Sequence, residues 1–167
     1  MLNFFINQEQ FFKELDNNKY WKYQYNLCWL INIYIILKNL WYEVTKQDLL
    51  DQAIKLDAYD EKMGWKYIWL TKLLENYWVK SEIYNKRLFH NYFFKKKLQK
   101  QKNNNLIFIS SIKTQKENHL IIIDEFKYDT LYYKSVWTKE VESTQTWEIK
   151  YNDFIKIYNK RWVIVYL

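Results

Sequence analysis

Residues Tyr25–Thr45 read YNLCWLINIYIILKNLWYEVT. The stretch holds the only cysteine of the chain, Cys28, followed by a run with apolar side chains on nearly every face of a helix. A helix that is apolar all round is a buried one. The stretch therefore predicts a core helix over 28–40 with a thiol at its N-terminal end. Thr45, with Asp48 three residues on, caps a second helix, TKQDLLDQAIKL, as a near capping box. IWLTKLLENY (68–77) gives a third, and 3–16 an amphipathic N-terminal one with Phe4, Phe5, Phe11, Phe12 and Leu15 as its apolar set. VKSEIY (79–84) alternates like a strand, and 88–102 is a basic helix. The pattern then changes. LIFISSI (106–112), HLIIIDEF (119–126), TLYYKSV (130–136) and RWVIVYL (161–167) are β-rich, with YNDFIKIY (151–158) a short helix between the last two. Helices first and strands later predict an α+β domain, an antiparallel sheet with strands within 106–167 packed on a helical N-terminal half.

The chain of 167 residues predicts one domain, 1–167, with no repeat or linker. Hydrophobic residues at 49% exclude a disordered chain. No apolar run reaches the roughly 20 residues that span a bilayer, and the start lacks the pattern of a secretory signal. One cysteine excludes an internal disulfide and fits a reducing, cytoplasmic compartment. The net charge of +7 is concentrated in KKKLQKQK, Lys95 to Lys102. Lacking interleaved stacking residues, this stretch reads as a solvated helix end and makes nucleic acid an unlikely partner.

One glycine, Gly64, no proline and nine tryptophans are unusual. Trp41 and Trp78 follow helices at the C′ position, where glycine is preferred. Trp21, Trp137, Trp147 and Trp162 stand in turns, loops or strand starts, and Trp29 follows the cysteine. These are glycine positions by local chemistry, which suggests UGA codons that mean glycine in the organism and are rendered here as tryptophan. The abundance of Lys, Asn, Ile, Tyr and Phe fits an AT-rich genome. The alternative is a protein that is truly rich in tryptophan.

With glycine at those places the opening stretch becomes a Cys-Gly pair, an apolar helix, LGYEVT and a helix begun by Thr45. That order resembles the nucleophile helix of papain-like cysteine peptidases, in particular the C39 group of bacteriocin-processing, double-glycine peptidases. WLTKLLENYWVKSEIY, NNLIFISSIK, NHLIIIDEF and the closing IKYNDFIKIYNKRWVIVYL are similar to the later blocks of that family. The resemblance implies a papain-like fold, a peptide or protein substrate, no cofactor, and hydrolysis through Cys28 and His119. The physical chemistry agrees. A thiol at a helix N-terminus feels the positive end of the dipole and becomes more acidic. A histidine at the head of a strand can take and return its proton. His90, in RLFHNYFF, reads as a surface or packing residue, and one cysteine with two histidines is poor material for a metal site.

The chain departs from the family at two places. The oxyanion glutamine usually stands six residues before the cysteine, where Lys22 is; Gln24, four back, is the nearest substitute. The histidine-orienting acid falls about 16 residues after the histidine, at Ser135, whose neutral hydroxyl is a weak orienter. Asp124 and Asp129 are the nearby carboxylates. The alternatives that stay open are a catalytically inactive peptide-binding module with the same cleft, and a basic nucleic-acid binder.

Overall fold

Helix ends set by short-range hydrogen bonds divide the first half of the chain. The computed structural model describes residues 6, 8–13, 15, 27–60, 64–84, 90–113, 118–136 and 146–167. Among these, the elements run α1 (Gln8–Lys13), α2 (Cys28–Asn39), α3 (Lys46–Lys55), β1 (Tyr59–Asp60), β2 (Gly64–Trp65), α4 (Tyr67–Glu75) and β3 (Ser81–Tyr84). They continue with α5 (His90–Gln99), β4 (Leu106–Lys113), β5 (Asn118–Lys127), β6 (Thr130–Ser135), β7 (Trp147–Lys150), α6 (Tyr151–Ile157) and β8 (Tyr158–Tyr166). Thr45 caps α3 as expected: its Oγ1 accepts the Asp48 N–H at 3.0 Å and donates to the Asp48 carboxylate at 2.6 Å.

Three helices stop in the same way. After α2 the Tyr42 N–H reaches the Leu37 carbonyl at 3.0 Å, and Trp41 takes φ 65°. After α3 Ala58 bonds Ala53 at 3.0 Å with Asp57 at φ 53°, and after α4 Val79 bonds Leu74 at 3.1 Å with Trp78 at φ 58°. This six-to-one bond over a left-handed residue is the Schellman stop, whose C′ position glycine fills at least cost. Two of the three C′ residues are tryptophans, and both rings stand in solvent, 89% and 94% exposed.

The main sheet has six strands in the order β3-β8-β4-β5-β6-β7, every neighbouring pair antiparallel. Its two faces are covered by different helices. Leu120, Ile122, Ile107, Ile109, Val163 and Val165 pack with α1 to α4. Ile121, Ile123, Phe108, Trp162 and Ile164 pack with Phe94 and Leu98 of α5 and Phe154 of α6. Burial on both faces explains why the strands read as unbroken apolar runs instead of alternating. It also revises the expected layering: α5 and α6 form a layer of their own behind the sheet.

Other expectations are corrected in detail. The expected helix over 3–16 is described as Gln8–Lys13; Phe4 and Phe5 lie outside the described residues. The sheet is not confined to 106–167, because β3 pairs with β8 at one edge. Trp147 opens strand β7 against Tyr133 instead of lying in a loop. Trp162 does not open its strand. It lies inside β8, fully buried, with its ring 4.6 Å from Phe94 and 5.5 Å from Phe108. Trp21 and Trp137 lie outside the described residues.

Candidate active site

Cys28 is the first residue of α2 and is half-buried. Leu27 at the N-cap offers no side-chain cap, and the first turn holds no acidic residue. The intrahelical ladder includes the Ile31 N–H bound to the Leu27 carbonyl at 2.9 Å. The N–H groups of the first turn and the positive end of the helix therefore face the thiol without a competing carboxylate in the first turn, the setting that favours a thiolate. One turn on, the fully buried Asn32 donates to the Cys28 carbonyl at 2.6 Å and holds the start of the helix.

The two ends of α2 are distinguishable along the sheet. Its C-terminal residues Asn39 and Leu40 border a cleft of about 680 Å³ with Leu106, Ile107, Asp124 and Leu167. Its N-terminal end meets the opposite end of the strands through Tyr67, the first residue of α4. The Tyr67 hydroxyl is hydrogen-bonded to Ser111 near the end of β4 and lies within electrostatic reach of Cys28 and Arg161. Trp29 meets the Tyr67 ring edge-on, centroids 4.1 Å apart. Burial pushes the Tyr67 hydroxyl up to about 12; the Ser111 bond and the Arg161 charge pull it down, and a Cys28 thiolate pushes it up. Ser111 pairs with Leu120, so the Tyr67–Ser111 contact lies one residue from His119.

His119 is buried near the start of β5, paired with Ile112. Strand alternation sets it on the face of Ile121, the α5–α6 face, whereas Cys28 heads a helix packed on the other face with Leu120 and Ile122. Ile121 pairs with Ser135 on β6, which makes Ser135 the diagonal neighbour of His119 on that face. His119 and Ser135 are thus neighbours at the end of the sheet that the start of α2 approaches through Tyr67 and Ser111. Gln24 lies outside the described residues. The two aspartates near His119 in sequence, Asp124 and Asp129, are at the other end. Asp124 borders the cleft beside Asn39, and Asp129 sits in the β5–β6 turn with Lys95 Nζ at 2.8 Å. His90 heads α5.

The residues that sequence reasoning missed are Tyr67, Ser111, Asn159 and Arg161. On β4, Ser110 pairs with Trp162 and Ile112 with Tyr158, so Asn159, Lys160 and Arg161 of β8 oppose the single residue Ser111. This bulge re-aims the start of β8 toward Tyr67, as bulges beside sites commonly do. Asn159 Nδ2 donates to Ser111 Oγ at 3.1 Å, and the Arg161 guanidinium lies 5.8 Å from the Tyr67 ring centre. Nothing in NKRW announces a bulge.

Among the described residues, no group of three or more His, Cys, Asp or Glu could hold a metal ion. The basic stretch is partly neutralised within the fold, since Lys95 pairs with Asp129 and Lys97 with Glu82 at 3.6 Å. No described helix is long and apolar enough to cross a membrane.

The fold is α+β, an antiparallel sheet covered by helices, and it matches that of solved peptidase domains. It is similar to the peptidase domain of Streptococcus ComA, a bi-functional ABC transporter involved in a quorum-sensing pathway. The TM-score is 0.61 at 8% identity, over 85% of this chain and 92% of that one. It is also similar to a double-glycine-motif protease from an AMS/PCAT transporter, solved with its leader peptide, with a TM-score of 0.54 at 13% identity over 83% of each chain. At these identities the likeness is one of fold. No protein-family model matches the sequence, and no curated protein matches it either.

Proposed function

We propose that residues 1–167 form a single cysteine peptidase domain that hydrolyses a peptide or related amide bond. The observation that carries this reading is Cys28 at the first position of a buried helix whose N-terminus has no side-chain cap. The fold shared with two peptidase domains supports it. The Cys28 thiolate attacks the carbonyl carbon, and the oxyanion is held by N–H groups of the first turn with Gln24. The C–N bond breaks as the His119 imidazolium gives its proton to the leaving amine. Water then attacks the thioester with His119 as base, releasing the acid and the free thiol. Ser135 is the weak orienter of His119, so the enzyme runs chiefly as a Cys–His pair. The substrate class is peptide; the double-glycine-motif protease of the same fold is seen in complex with a leader peptide. A lone thiol fits a reducing, cytoplasmic setting.

A peptide library incubated with the protein and read by mass spectrometry tests this. Cleavage products that vanish in Cys28→Ser and in His119→Ala are expected. Cleavage that survives both changes removes these residues from the mechanism. The second reading, an inactive peptide-binding module, rests on the neutral Ser135 in the place of an acid; it expects peptide binding unchanged in Cys28→Ala and no cleavage.

A further inference from the structure

We propose that Arg161 is a specificity residue that anchors a carboxylate of the peptide beside Cys28. This rests on the peptidase reading of the same site. Four observations lead there. Arg161 is one of only two arginines in a lysine-rich chain and is the only one among the described residues. Its side chain is exposed and makes no ion pair among the described residues, whereas Lys66, Lys95, Lys97 and Lys156 each have a carboxylate partner. The β8 bulge opposite Ser111 carries it to the Cys28 end of the sheet. There its guanidinium lies 5.8 Å from the centre of the Tyr67 ring, whose hydroxyl is within electrostatic reach of Cys28 and whose other neighbour is Trp29, the residue after Cys28.

A structural role accounts for little of this. Trp29 already packs on the Tyr67 ring and Ser111 already binds its hydroxyl. The guanidinium is a planar fork of donors suited to a carboxylate, and its charge stays at every working pH. Beside the Tyr67 and Ser111 hydroxyls and the Trp29 ring, it selects peptides that carry negative charge near the scissile bond. That charge can be an acidic side chain or the C-terminal carboxylate of a short peptide.

The test does not need a known substrate. Iodoacetate and iodoacetamide alkylate the same thiolate and differ by a carboxylate. The ratio of their rates at Cys28 therefore reads an anion site independently of how reactive the thiol is. An anion held several Å from a guanidinium near the surface gains roughly five- to tenfold in local concentration. The ratio is expected to fall by about that factor in Arg161→Gln, to be largely kept in Arg161→Lys, and to be unchanged in Lys66→Gln. A ratio that Arg161→Gln leaves unchanged overturns the proposal. If the iodoacetamide rate follows an ordinary thiol in every variant while the ratio still depends on Arg161, the anion site stands and the peptidase reading fails. Library peptides in Glu/Gln pairs and in acid/amide C-terminal pairs then separate the two sources. Cleavage or binding that discriminates neither pair also overturns it.

Discussion

Replacing Trp41 or Trp78 with glycine is expected to stabilise the protein, although each change deletes the largest side chain there is. Both residues hold the left-handed C′ position of a Schellman stop, at φ 65° and 58°. A residue with a Cβ costs roughly 1–2 kcal/mol there. Glycine gives back roughly 0.5–1 kcal/mol through the greater freedom of its unfolded chain. The rings, 89% and 94% exposed, contribute little burial to lose. The net gain is about 0.5–1 kcal/mol at each site, or roughly 1–4 °C for a chain of this size. Tyr42 and Tyr77, the neighbours of the two sites, have ring centres 5.7 Å apart, so the changes are best measured singly before they are combined. Urea unfolding is the assay, with a rise in midpoint at constant slope the expected result. Loss of stability in either single variant would show that the backbone argument is wrong at that stop, and the recoding of tryptophan as glycine would lose its physical motive. The codons test the same idea directly: nine UGG codons end it.

The other expected outcomes follow from burial and capping. Trp162→Ala should cost about 3–5 kcal/mol, because the ring is fully buried against Phe94 and Phe108; a loss below 1 kcal/mol would mean that the second core repacks around glycine-sized residues there. Thr45→Ala should cost about 1 kcal/mol by removing the cap of α3, measured by thermal unfolding. Tyr67 has a folded value of about 12 against an ordinary 10, so the neutral hydroxyl is favoured in the folded state. Its contribution is fully present below pH 10 and is lost as pH rises toward 12, on the order of 2–3 kcal/mol in all. The fall in stability between pH 9 and pH 11.5 should therefore be smaller in Tyr67→Phe than in the parent chain. An equal fall in both would place the alkaline sensitivity elsewhere, with Tyr151, also raised to about 12, the next residue to test.

Much of this fold was legible because its strongest signals are local. The all-apolar run after Cys28 predicts α2 to within one residue of its end, and the Thr45–Asp48 pair predicts the start of α3 from hydrogen bonding alone. The runs at LIFISSI and HLIIIDEF are strands for the same reason that they do not alternate: helices cover both faces. What the sequence hid depends on contacts far apart in the chain. Strand β7 is short and mostly exposed, so its apolar pattern carries no signal. Trp162 reads as a loop-edge residue after NKR, yet the bulge carries it into the second core. The ring of Tyr67, the hydroxyl of Ser111 and the guanidinium of Arg161 meet only when α4 is laid on the sheet. Cys28 and His119 are legible as candidates because each stands at or beside an element's start, a position that local pattern reveals.

The central claim is that Cys28 is an activated nucleophile. Its alkylation rate by iodoacetamide against pH, beside that of His119→Ala, tests this most directly. The account predicts a thiolate already reactive well below the ordinary thiol value of about 8.5, with that low-pH reactivity lost in His119→Ala. A rate that follows an ordinary thiol's titration and is indifferent to His119 would contradict it.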